Sequence, residues 1–199
     1  ISQYEKRLQT VPGAELGLTS DGFFDLAERP RRVALVGSGY VAVEFAGVFA
    51  ALGSEVTLVL RFDSLLRRFD SMLADTLLHR MRADGIDVAT RVALRALHGT
   101  APNLTIESVD GRSFGPFDAV IWAIGRAPST RHLGLDSAGV ELDPAGFIVT
   151  DEYQNTSAAQ VYAVGDVTGR AELTPVAIAA GRRLADRVFG GCAGRRLHY

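Results

Sequence analysis

A chain of 199 residues with a formal net charge of −2 has no excess of Lys and Arg with which to hold a polyanion, so nucleic acid and anionic membranes are excluded as its main partners. With 47% apolar residues and 21 glycines, the composition is that of a globular α/β protein able to bury a core. The head, ISQYEKRLQT, contains no apolar run of signal-peptide or membrane-span length, and the single Cys192 fits a reducing compartment, so a cytoplasmic protein is expected.

Residues 1–30 read as a connector, with a turn at Pro12–Gly13, a polar run at Thr19–Asp21 and one apolar pair, Phe23–Phe24. Arg32–Val36 is a compact apolar strand that runs into Gly-Ser-Gly, and Tyr40 to Leu52 has the composition of a helix ended by Gly53. Glu55–Leu60 reads as a second strand. This is a βαβ unit, which implies parallel strands and a right-handed crossover. Asp70 is placed to cap a helix reaching Asp84 and ended by Gly85, with a short strand at Ile86–Ala89. Val92–His98, Leu104–Val109 and Ser113–Phe117 form an antiparallel meander with a turn at Asp110–Gly111. Ala119–Ile124 returns to a buried strand closed by Gly125. After a loop rich in Pro, Ser and Gly, Gln160–Val164 is expected as another buried strand, and Pro175–Phe189 as a helix with a cationic stripe at Arg182, Arg183 and Arg187. One strand and one helix are too few to close a sheet covered on both faces, so the segment from about residue 128 is expected to belong to a larger domain.

The run Gly37-Ser-Gly39-Tyr-Val-Ala42 is Gly-x-Gly-x-x-Ala at a strand-to-helix junction. Gly37 permits the tight turn, Gly39 removes a side chain where pyrophosphate must approach the backbone, and Ala42 lets the helix pack close on the strand. The helix N-terminus offers N–H groups and a positive dipole end to the phosphates. A merely structural glycine turn is the competing reading. A dinucleotide site specific for NAD has Asp or Glu at the end of the second strand, about 20 residues on. Here the chain reads Leu60-Arg61, and Arg67 follows in the same loop. A carboxylate would repel a ribose 2′-phosphate, whereas guanidinium groups grip it through charge-assisted bonds, so NADPH is the expected coenzyme. The alternative is that these arginines are ordinary solvated loop charges.

Five runs together carry a more specific likeness: Gly37–Ala42 with Val43-Glu44-Phe-Ala-Gly; Leu60-Arg61-Phe-Asp-Ser-Leu-Leu-Arg67-Arg-Phe-Asp70; Trp122-Ala-Ile-Gly125-Arg126; Tyr162-Ala-Val-Gly165-Asp166; and Leu173-Thr174-Pro175-Val-Ala-Ile. Over Pro12 to about Gly190 the chain resembles the glutathione reductase type of pyridine nucleotide-disulfide oxidoreductase. Trypanothione and mercuric reductases share the frame. Dihydrolipoamide dehydrogenase fits less well, because its second strand typically ends in an acid.

The resemblance implies an α/β fold in which a Rossmann-like NADPH domain, residues 31–127, with a parallel sheet and a small antiparallel meander, is followed at 128–199 by an incomplete part of an FAD-binding α/β domain. It implies that Tyr40 covers the flavin until nicotinamide displaces it, that Glu44 lies near the nicotinamide, and that Val41, Ala123, Ile124, Gly125 and Arg126 line the NADPH site. Gly165, Asp166, Glu172, Leu173 and Thr174 would contact FAD, the helix dipole favouring negative charge on the reduced ring. The family's redox-active cysteine pair, its FAD adenine-end glycine motif and its dimerisation domain with the catalytic His match nothing in this sequence. Cys192 has no partner cysteine, and His79, His98, His132 and His198 match no family base. No catalytic residue and no metal ligand is therefore expected in this chain. The complete enzyme would be a homodimer passing hydride from NADPH to FAD and then electrons to glutathione disulfide. A free-standing NADPH-binding or sensing module is the alternative; such a module should be compact without flavin, whereas an enzyme segment should expose apolar surface around Val161–Val164.

Overall fold

The computed structural model describes residues 10–199, and the chain divides after Gly125 into two compact units. In the first unit, after a short 3-10 turn at Ala14–Leu16 and helix α1 at Ser20–Phe24, β1 runs over Arg32–Val36 and α2 over Tyr40–Ala51. Strand β2 (Glu55–Val59), helix α3 (Ser71–Ala83) and strand β3 (Asp87–Ala89) follow. Three further strands, β4 (Leu94–His98), β5 (Leu104–Ser108) and β6 (Ser113–Phe117), precede β7 (Ala119–Trp122). The parallel sheet has the order β3-β2-β1-β7, and the meander β4-β5-β6 is antiparallel.

Strand β1 is covered on both faces, and alternation along it assigns the covers. Val33 and Leu35 join Leu58 and Ile121 in a cluster with Ala42, Phe45, Ala46 and Phe49 of α2 and Leu78 and Met81 of α3. Ala34 and Val36 face the other way, with Val59, Val120 and Trp122, onto Leu97, Leu104, Ile106 and Phe117 of the meander. The sheet therefore carries helices on one side and the meander on the other. Where β1 and β7 begin, the Arg32 backbone N–H and guanidinium donate to the two Asp118 carboxylate oxygens at 2.8 and 2.7 Å. Burial pushes the Asp118 carboxyl up, but these bonds outweigh it and hold the group below its ordinary value.

The stretch expected as a connector is packed structure where it is described. Phe23 stacks on Phe45 with ring centroids 3.9 Å apart, Leu18 bridges Ile121 as a short parallel pairing, and the Ala14 carbonyl accepts from the indole of Trp122 at 2.8 Å. Ala14 packs into the meander-side cluster and Leu18 and Phe23 into the helix-side one, which no local pattern announces. Residues 1–9 of that stretch lie outside the described residues. Asp70 caps α3 as expected, accepting from Met72 N–H at 2.8 Å.

The second unit is sparse in regular structure, with a 3-10 turn at Gly165–Thr168 and helix α4 over Thr174–Val188. Gln160–Val164 is not the buried strand that its composition suggests. Only Tyr162 pairs, in a single bridge to Asn155, and Val161 and Tyr162 remain 39% and 37% exposed. A strand needs a continuous ladder, and this segment has only the short pairing with 154–156, Ala163 N–H donating to Gln154 O and Thr156 N–H to Val161 O, both at 3.1 Å. The cationic stripe on α4 also departs from expectation. The Arg187 guanidinium turns inward to donate to Tyr153 O at 2.6 Å and Asn155 Oδ1 at 3.0 Å, beside the rings of Tyr153 and Tyr162.

Candidate functional site

At the carboxyl end of the parallel sheet the backbone must leave β1 and enter α2 within three residues, and Gly37 makes that possible. Its φ is +145°, its N–H donates to Val59 O at 3.0 Å, and a Cβ there would lie 2.1 Å from the carbonyl oxygen of Ala123. Gly37 is thus required by the sheet itself. Gly39 differs: its φ is −84°, no side chain caps α2 there, and a Cβ built on it would meet no atom within 4 Å. The space in front of this helix end is open, as close approach of a phosphate demands. Ala42 is fully buried and Val41 partly buried, which fixes the helix against the sheet, while Tyr40 (37% exposed) and Glu44 face solvent. Ala123 and Ile124 continue β7 beside this turn, Ala123 N–H donating to Val36 O at 2.8 Å, and Gly125 closes the unit at φ +134°.

The loop after β2 is tied to the glycine turn. Leu65 is fully buried, and Leu66 N–H donates to Ser38 O at 2.8 Å. The loop therefore presents its arginines at the same sheet end. The guanidinium carbons of Arg67 and Arg61 lie 3.8 and 5.5 Å from the centroid of the Phe62 ring, which holds both cationic heads near one spot. Among the described residues neither forms an ion pair. The two carboxylates of this loop are engaged elsewhere. Asp70 caps α3, and Asp63 is held by Arg91 through both oxygens, one at 2.8 Å from Nη2 and one on Nε. The Arg91 hydrogen bond holds the Asp63 carboxyl below the usual range, so it stays ionised. The sequence does not single out Phe62, Asp63 or Arg91; the one available signal is an aromatic residue directly after the arginine that stands where an acid is expected.

In the second unit Gly165 begins a 3-10 turn with φ +76°, and a Cβ there would stand 3.2 Å from the Cβ of Ala177, in the first turn of α4. This contact brings Gly165 and the half-exposed Asp166 beside the N-terminus of α4, where Leu173 occupies the cap position without a side-chain cap and Pro175 follows. Glu172 is half-buried, Thr174 is exposed, and Leu173 and Ile178 are 54% and 49% exposed. Arg126 is exposed at the start of the unit. Cys192 is exposed, and His98 pairs with Glu107 at 3.0 Å.

A parallel sheet with a glycine turn at its carboxyl edge and a positively charged loop beside it define a Rossmann-type dinucleotide-binding fold. Residues 4–181 match the family of pyridine nucleotide-disulphide oxidoreductases, and the chain belongs to that family. It is 48% identical over 191 residues to the glutathione reductase of Schizosaccharomyces pombe, covering 95% of this chain and 41% of that protein. Among solved structures, the HOCl-induced flavoprotein disulfide reductase RclA from Escherichia coli superposes with a TM-score of 0.84 at 30% identity, over 94% of this chain and 42% of that one. LpdA from Mycobacterium tuberculosis gives 0.81 at 28% identity, over 91% and 39%. The chain spans about two-fifths of the length of these relatives.

Proposed function

We propose that the 4–125 unit binds NADPH, and that residues 126–199 form part of an FAD site in a disulfide reductase whose acceptor is glutathione disulfide. The observation that carries this reading is the Arg61–Arg67 pair, gathered on Phe62 with no carboxylate to neutralise it. A dianionic ribose 2′-phosphate is the group such a pair is suited to hold, and an NAD-type ribose gives it nothing to grip. Gly37, Gly39 and Ala42 let the pyrophosphate approach the end of α2, with Val41, Ala123, Ile124 and Gly125 as the backbone walls. Tyr40 and Glu44, both on the exposed side of α2, are the groups available to the nicotinamide. The donors present thus fit NADPH without rearrangement of the sheet end.

For FAD, Asp166 offers a carboxylate to a ribityl hydroxyl, and Glu172, Leu173 and Thr174 border the uncapped end of α4. The exposed Val161, Leu173 and Ile178 supply apolar surface for a ring system, which favours an enzyme segment over a self-contained sensing module. With both groups bound, the chemistry supplied is hydride transfer from nicotinamide to flavin followed by two-electron reduction of a disulfide. Disulfide exchange needs two thiols and the sequence has one cysteine, so this chain alone is expected to bind coenzyme without turning over glutathione disulfide. Similarity to glutathione reductase supports a homodimer as the complete protein, and the lone cysteine is the ground for proposing a cytoplasmic one. The test is calorimetric titration with NADPH and NADH. Binding of NADPH tighter by at least about tenfold is expected, one charge-assisted bond sufficing for that. Equal affinities would overturn the coenzyme assignment.

A further inference from the structure

Asp63 lies two residues from Arg61 and four from Arg67, and Asp70, three beyond Arg67, is committed to capping α3. Left free in an exposed loop, Asp63 would be the natural counter-ion for either arginine, and the pair would then meet an incoming phosphate already half neutralised. The structure removes it from that role. Arg91, 28 residues on, takes both Asp63 oxygens in a fork-to-carboxylate arrangement.

Arg91 is itself held by the backbone. Its φ is +55°, its N–H donates to Phe62 O at 3.4 Å, and the adjoining Val92 N–H donates to Leu60 O at 2.9 Å. These bonds extend the β2–β3 pairing past the ends of both strands and fasten 60–62 to 91–92. From the other side, Arg112 donates to the carbonyls of Arg91 and Thr90 at 2.6 and 3.1 Å, and its own charge is met by Asp110 at 2.8 Å. The backbone from which the Arg91 side chain reaches Asp63 is thus fixed on both sides. The charged groups around Arg91 are Asp63 on the loop after β2 and Arg112 with Asp110 on the meander.

Resting on the assignment of Arg61 and Arg67 to the 2′-phosphate, we infer that Arg91 is a positioning residue for coenzyme choice: it sequesters the Asp63 carboxylate and so keeps the two coenzyme arginines uncompensated. Arg91 touches no coenzyme in this scheme. Its effect is on which anion the pair meets.

The experiment is a double-mutant cycle in the full-length protein, with NADPH and NADH affinities measured for the parent, Arg91→Asn, Asp63→Asn and the double variant. Asn tolerates the left-handed backbone but is too short and uncharged to hold Asp63. Arg91→Asn is expected to weaken NADPH roughly fivefold, the order expected from releasing one exposed charge, with NADH unchanged within a factor of about two. Adding Asp63→Asn should restore NADPH binding to near the parent, and Asp63→Asn alone should leave it there. Should Arg91→Asn melt below the assay temperature, Arg91→Gly, which also accepts positive φ, carries the same comparison. Equal weakening of both coenzymes, or no rescue by Asp63→Asn, overturns the inference while leaving the parent's NADPH preference intact. A parent without any NADPH preference instead overturns the assignment on which the inference stands.

Discussion

In the 4–125 unit Val33, Ala34 and Leu35 of β1 are wholly withdrawn from water, packed from above by two helices and from below by a meander. In the 126–199 unit the buried apolar cluster is only Val140, Ile148 and Ala163, while Leu173 and Ile178 stay about half exposed beside an open helix end. Apolar packing is thus complete in one unit and thin in the other. Surface left uncovered lies where the flavin contacts are proposed, so the contrast separates a region that supports itself from one that offers apolar area to something else.

Core truncation breaks this comparison most strongly. Leu58→Ala, at a fully buried position, is expected to cost about 2–5 kcal/mol in urea unfolding followed by circular dichroism, because a rigid sheet cannot collapse onto the cavity. Ile148→Ala should cost about 2 kcal/mol or less, since its smaller cluster can relax around the loss. Equal costs would mean that the second unit is as firmly packed as the first.

The two glycines of the coenzyme turn sharpen the comparison on a finer scale. Gly37→Ala places a methyl against the Ala123 carbonyl at a φ that L residues avoid, so a loss on the order of 3 kcal/mol in stability is expected. Gly39→Ala meets open space at an ordinary φ, so stability should move by less than about 0.5 kcal/mol while coenzyme affinity falls by roughly tenfold. Thermal melts and calorimetry on the two variants separate a glycine needed by the fold from one needed by the ligand.

How much of this was legible in the sequence follows the same division. The βαβ unit, the Asp70 cap and the three-strand meander could be read because each rests on local periodicity and turn chemistry, and β1, β2 and β7 announce themselves as apolar runs buried on both faces. The 160–164 segment misled because an apolar run reports burial propensity and says nothing of whether a neighbouring strand exists. Arg187 misled for a related reason: helical spacing places it on an outer stripe, but two tyrosines and a carbonyl draw it inward. At the candidate site, Gly37, Gly39, Arg61 and Arg67 are picked out by spacing, and the structure brings them to one end of the sheet. The Asp63–Arg91 pair was not, because its partners are 28 residues apart and meet only through pairing that outruns β2 and β3.

The most direct test of the account is the charge reversal of the loop after β2. With Arg61→Glu and Arg67→Glu combined, NADPH affinity should fall by about a hundredfold or more while NADH binding stays within a few-fold of the parent, as loss of two charge-assisted contacts to one phosphate requires. An NADPH affinity that survives the reversal, or an equal fall for both coenzymes, would contradict the claim that these two guanidinium groups select the phosphorylated coenzyme.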